Sequence, residues 1–150
     1  MLKGIDPRLN AEVLFALRAM GHGDTLAIVD ANFPADSVAG HTELGELLRM
    51  DNLTAGQVVE AVLSVMPLDT FVDDFAGRME VVDSPEEIPP VQQEMQAAID
   101  KAEGGERPMV GIERFSFYDR ARESYAVIQT GERRFYGNVI LRKGVIAPED

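Results

Sequence analysis

Leu9, Val13, Leu14, Leu17 and Met20 recur at intervals of three or four with one adjacent pair, a single apolar stripe that predicts a helix of about three turns after Pro7. Gly21 and Gly23 end it. The run TLAIVD, Thr25 to Asp30, is β-prone and apolar on both faces, as a strand buried between two layers must be. ANFPADSVAG then reads as loop and ELLRM, Glu46 to Met50, as a second strand. TAGQVVEAVLSVMP predicts a helix, with Thr54 as N-cap, Val58, Val62 and Val65 on one stripe, and a proline stop.

Farther along, FAGRMEVVD predicts a strand. SPEEIPPVQQEMQAAIDKAEGG predicts a polar helix opened by Ser84 and Pro85 and closed by paired glycines, with Pro89 and Pro90 able to delay its start by a turn. PMVGIERF reads as a strand and FYDRARES as a short helix; YAVIQT and NVILRKGV read as two strands that the turn-rich GERRFYG would join as a hairpin. Such alternation predicts an α/β fold, a three-layer α/β/α sandwich with a mixed β-sheet, and the absence of a Pro/Gly/Ser linker predicts one domain over residues 1–150.

Composition narrows the function. Asp and Glu number 26 against 14 Lys and Arg, a formal net charge of −12, so neither nucleic acid nor an anionic membrane surface is an expected partner. With no cysteine there is no disulfide, thiolate zinc site or cysteine nucleophile, which suits a reducing compartment. MLKGIDPRLN lacks the apolar core of a signal peptide, and no apolar run approaches the roughly 20 residues that span a bilayer. A soluble cytoplasmic protein is expected.

Four places can carry chemistry. His22, between two glycines, is sterically open and can both give and take a proton near neutrality, although the glycines equally serve a helix C-cap against which the ring would merely pack. Asp30 ends an apolar strand, where open α/β sheets bind ligands, or else starts an Asx-turn. In RFSFYDRA, Arg114 precedes Tyr118 by four residues, so a guanidinium fork and a phenol could grip one ligand; the alternative is an aromatic core pair, Phe115 with Phe117, beside an ordinary ion pair. In TGERRFYGN, Tyr136, Gly137 and Asn138 enter the last strand with a phenol, a close backbone approach and an amide that donates and accepts, or they are simply turn residues. Arg133 and Arg134 read as solvated, and His41 as facing solvent. His22, Asp24 and Asp30 lack a metal-ligand spacing, so no metal is expected. No phosphate-binding loop, GxSxG elbow or dinucleotide fingerprint is present.

GHGD, DANFPA, RFSFYDRA and TGERRFYGNVILRKGV, taken in order, resemble the family of sugar mutarotases that comprises L-fucose mutarotase and D-ribose pyranase. DANFPA and RFSFYDRA look like the fucose branch. The resemblance implies an α/β/α sandwich in a ring-shaped oligomer, commonly a decamer, and an isomerase that interconverts the α and β anomers of a reducing pyranose, L-fucose first, without a cofactor. It places the acid/base histidine on His22 and the sugar-binding positions on Asp30, Arg114, Tyr136, Gly137 and Asn138. Tyr118, or Tyr136, would handle the second proton. The alternatives are D-ribose pyranase activity, a non-catalytic sugar-binding accessory protein, and a hydrolase using Asp30 with His22. If residues 25–30 form a straight strand, His22 and Asp30 lie on the order of 20 Å apart, so the resemblance requires His22 from one subunit and the other groups from its neighbour.

Overall fold

The computed structural model describes residues 1–149. Its centre is one six-stranded sheet in the order β2-β5-β1-β6-β3-β4, built from β1 (Thr25–Val29), β2 (Leu48–Met50), β3 (Ala76–Met79), β4 (Val110–Ile112), β5 (Ala126–Thr130) and β6 (Val139–Arg142). β1 pairs parallel with β5 and antiparallel with β6; β5 pairs parallel with β2, and β3 parallel with β4 but antiparallel with β6. Only β6 is reversed. It therefore starts where β1 ends and finishes where β1 begins.

Alternating residues of β1 face two different cores. Leu26 and Ile28 pack into a cluster with α1 (Ala11–Ala19), α3 (Ala55–Leu63) and α4 (Pro90–Glu103), while Ala27 and Val29 join α2 (Ala35–Ala39) and α5 (Arg114–Arg122) on the opposite face. These are the three layers, and the sheet is mixed as the alternation predicts. Asn10 caps α1, its side chain accepting from Val13, and Thr54 with Gln57 forms a reciprocal capping box on α3.

Four expectations change. β5 and β6 are not a hairpin, because β1 lies between them and residues 131–138 arch over its end. ANFPADSVAG contains the short helix α2 rather than only loop, held by Pro34 at its start and by Val38 and Ala39 in the core. α4 begins at Pro90, with Pro89 as its cap and Ser84–Glu87 in a turn, because each proline fixes an extended neighbour before it. The strand in PMVGIERF stops at Ile112; Glu113 caps α5 by accepting from the amides of Phe115 and Ser116, so Arg114 opens a helix instead of ending a strand.

Candidate functional site

The arch over β1 builds a cavity of about 280 Å³ at the C-terminal end of that strand, lined by Asp30, Asn32, Phe33, Met79, Arg114, Tyr118, Phe135, Tyr136 and Asn138. Its size sits at the small end of ligand pockets, which run from about 300 Å³ upward. It brings together five residues that the sequence singles out, and Gly137 lies behind them.

Asp30 is the keystone. It is 3 % exposed, and its Oδ1 accepts from the amides of Asn32 (3.0 Å) and Phe33 (3.0 Å) while its Oδ2 accepts from Gly137 N–H (3.2 Å) and Asn138 Nδ2 (3.1 Å). Asn138 closes the pair by accepting the Asp30 amide at 2.8 Å. Burial pushes the Asp30 carboxyl above its ordinary value, and the four N–H donors oppose the shift. Both oxygens are engaged, so a ligand hydroxyl reaching Asp30 shares an oxygen with a protein donor. The Asx-turn and the site are thus one arrangement.

The close approach explains Gly137. A Cβ there would stand 2.8 Å from Glu132 Cγ, 3.2 Å from Val91 Cγ2 and 3.4 Å from Asp30 Cβ. Tyr136 before it has a φ of +65°, a left-handed conformation rare for an aromatic residue, fixed by Gln92 Nε2 donating to its carbonyl at 3.0 Å and by the Val82 amide donating to its hydroxyl at 3.2 Å.

Arg114 is exposed, and its Nε donates to the Tyr118 hydroxyl at 3.1 Å. That bond holds the guanidinium above its ordinary value, and the group lies 5.6 Å from the Phe115 ring centroid and 5.5 Å from that of Tyr118. Among the described residues no carboxylate pairs with it, so the ordinary ion pair is not formed. Nor do the two phenylalanines share a core: Phe117 is fully buried and Phe115 is 67 % exposed. Accepting from Arg114 leaves the Tyr118 hydroxyl hydrogen available to a ligand.

Glu132 and Arg134 brace the arch. Arg134 pairs with Glu132 (2.9 Å) and Glu94 (2.7 Å), which corrects its reading as a solvated residue. The Arg134 guanidinium brings the buried Glu132 carboxyl down from 4.5 to about 2, and the Ala55 amide at the start of α3 also donates to it. A depressed carboxylate contributes stability that is present above pH 4.5 and lost as pH falls toward 2. Asp30, shifted the other way, works in the opposite direction. Through Glu132, acid is expected to loosen the arch, a loss on the order of 2 kcal/mol for that group after allowance for the half-exposed Arg134. Urea midpoints from pH 6 to pH 3 check this, and Glu132→Gln should flatten the dependence.

His22 is elsewhere. It sits before the start of β1, its Nε2 lying 3.2 Å from Asp69 Oδ2 and its ring 6.1 Å from that of Phe71 in a T-shaped contact. The His22 side chain is half-exposed and that of Asp69 buried. Five strand residues at about 3.3 Å each separate it from Asp30, and it lines no part of the 280 Å³ cavity. One chain does not unite the two. Asp69 has no counterpart among the sequence candidates: it lies 47 positions from His22, and pairing of its loop with the end of β6, including the antiparallel bridge Leu68↔Lys143, brings it there. His41 is exposed and outside the cavity.

A larger cavity, about 360 Å³, opens beside Gly23 and Thr25. Asp74 lies 3.4 Å from Arg142 and 3.9 Å from Arg120 there, while Arg142 Nε is buried without a hydrogen-bond partner among the described residues. Among the described residues no three His, Asp or Glu side chains are grouped to hold a metal ion, and no helix is long and apolar enough to cross a membrane.

A mixed α/β/α sandwich with a polar cleft at the carboxyl end of its central strand defines a protein that binds a small polar ligand. The chain belongs to the RbsD / FucU transport protein family, which it matches over residues 3–146. It is 45 % identical over 150 residues to fucose mutarotase of Homo sapiens, covering 97 % of this chain and 95 % of that one. The crystal structure of protein Atu2016 is 58 % identical and superposes with a TM-score of 0.96, covering 98 % of this chain and 97 % of its own. That of the fucose mutarotase in complex with L-fucose from Streptococcus pneumoniae is 34 % identical with a TM-score of 0.86, covering 97 % and 100 %.

Proposed function

We propose that the protein is a cofactor-independent sugar mutarotase, an isomerase that opens and recloses a reducing pyranose, with L-fucose as its first substrate. The observation that carries this is the cleft itself. Arg114 and Tyr118 present donors, Asp30 and Asn138 form a rigid polar floor, and the likeness to fucose mutarotases runs the length of the chain.

Opening requires a proton to leave the anomeric hydroxyl and another to reach the ring oxygen as the bond from that oxygen to the anomeric carbon breaks. After rotation of the aldehyde the ring closes on its other face. No electron sink is needed. His22 donates to the ring oxygen. With Nε2 beside Asp69, Nδ1 is the nitrogen turned toward the sugar: as the imidazolium His22 gives its Nδ1 proton to the ring oxygen, and the neutral ring that remains takes up the proton of the anomeric hydroxyl through Tyr118. Tyr118, beside Arg114, relays the anomeric proton; Tyr136, Gly137 and Asn138 bound the sugar with Asp30. Arg114 holds hydroxyls.

Because His22 lies at the far end of β1, the working site is composite: His22 of one subunit meets the cleft of its neighbour. This reading includes a ring-shaped homo-oligomer, a decamer by resemblance, acting on free sugar in the cytoplasm. Exposed Phe71 beside His22, and exposed Phe115 and Phe135 beside the cleft, are suited to such an interface.

Saturation-transfer NMR of anomeric protons over L-fucose, D-ribose and galactose tests the proposal. Catalysed exchange, greatest for L-fucose, is expected. Binding without exchange would replace the enzyme by a sugar-binding accessory protein, and a change of mass would mark a hydrolase.

A further inference from the structure

The reversal of β6 carries the chain from the cleft to the His22 corner, where residues 142–144 lie between two loops. On one side Gly23 N–H donates to Lys143 O at 2.9 Å and Lys143 N–H to Asp24 O at 2.8 Å. On the other, Asp69 N–H donates to Arg142 O at 3.0 Å and Gly144 N–H to Pro67 O at 2.8 Å. The packing is tight: a Cβ on Gly144 would lie 2.4 Å from Leu68 O. So one short segment holds both members of the His22–Asp69 pair.

The Lys143 side chain adds a third tie. Its Nζ donates to Leu17 O at 2.7 Å and to Met20 O at 2.5 Å, carbonyls of the last turn and C-cap of α1 that the helix leaves unpaired. A cation at a helix C-terminus is also favoured by the helix dipole. Gly21–His22–Gly23 is therefore gripped where it leaves α1 by the Lys143 ammonium and where it enters β1 by the Lys143 backbone. Neither glycine could fix the imidazole alone. Burial, assisted by the nearby Arg18 charge, pushes the amine below its ordinary value, as expected of an ammonium that faces carbonyls instead of water.

We propose that Lys143 is the positioning residue for His22: it never meets the sugar, but sets where the imidazole stands and which nitrogen Asp69 takes. The inference rests on His22 as the proton donor. Because proton transfer requires the donor within hydrogen-bond reach, a displacement of an ångström lowers the chemical step and leaves sugar affinity, which resides in the cleft, in place.

Lys143→Met in the assembled protein tests it, with Lys143→Gln as the second variant because its amide keeps one donor for the α1 carbonyls. Lys143→Met is expected to lower kcat for anomer exchange about 10- to 100-fold with KM within about twofold, and Lys143→Gln to lower it less. ¹⁵N NMR of His22 should show an Nε2–H tautomer in the parent and tautomer averaging in Lys143→Met, a change that general loss of stability would not produce in the folded protein. If Lys143→Met is folded and keeps both its kcat and its His22 tautomer, or if Lys143→Met does not fold and Lys143→Gln keeps both, the proposal is overturned. His22→Gln run in parallel separates the two levels: if that variant keeps exchange, the mechanism itself fails, whereas its loss beside an unaffected Lys143→Met sinks the positioning role alone.

Discussion

His22→Gln is expected to slow anomer exchange by about 10² to 10⁴-fold while sugar affinity changes only a few-fold. Glutamine is the informative replacement. Its amide can still donate toward the buried Asp69 carboxylate, so that group is not orphaned, but an amide cannot pass a proton near neutral pH. The side chain replaced is half-exposed and lines no part of the cleft, so neither the core nor the Asp30–Asn138 floor should respond. Saturation transfer measures the rate, and calorimetric titration with L-fucose measures the binding. A variant that exchanges anomers as fast as its parent would remove His22 from the chemistry, whatever the cleft does.

Asp69 makes the same point from the other side. A carboxylate beside Nε2 favours a hydrogen on that nitrogen, so that under the proposed mechanism Nδ1 is the atom that exchanges a proton with the sugar. Open glycine neighbours would otherwise let the ring turn. Two requirements that look opposed, access for a ligand and a fixed proton, are met by a bare loop and a buried partner.

Where the periodic signal was strong, the sequence reading reached the fold. The stripe from Leu9 to Met20 is α1, shortened because the Asn10 side chain caps it after the stripe has begun; TLAIVD is β1, apolar on both faces because it has a core on each side. What periodicity cannot carry is strand order. YAVIQT and NVILRKGV have every local mark of a hairpin, and only long-range pairing inserts β1 between them. That single insertion makes the cleft, since a hairpin turn would never have carried Gly137 and Asn138 across Asp30. Asp30, Arg114 and Tyr136 were legible one by one as groups able to hold a polar ligand, but their union rested on the family resemblance alone, and Asn138 is spent largely on Asp30 rather than held free for a ligand. Asp69 was missed because its partner His22 lies 47 positions away, outside any window of local sequence, and Arg134 because the burial of its near neighbour Glu132 and the approach of Glu94, 40 positions away, come only from the fold.

Coexpressing two inactive chains is expected to restore activity. One chain carries His22→Gln and an intact cleft; the other carries Arg114→Met and an intact histidine corner. Arg114 is exposed and bonded only to Tyr118 among the described residues, so its loss should spare the fold while removing a charged hydrogen-bond donor, a change of about 10- to 100-fold in exchange at low sugar. If each working site takes its histidine from one subunit and its cleft from the next, random assembly in equal amounts joins an intact corner to an intact cleft at about one site in four. Activity should then rise to about a quarter of the parent level, above the roughly one-tenth or less that Arg114→Met keeps and far above His22→Gln. A site contained within one chain gives the contrary result, because every His22→Gln chain would lack its proton donor and every Arg114→Met chain its grip, and mixing would add nothing. The contrast follows from the length of β1: five extended residues hold the imidazole and the cleft too far apart for one pyranose to span, so if one working site uses both, the proposed mechanism takes its histidine from another copy of the chain.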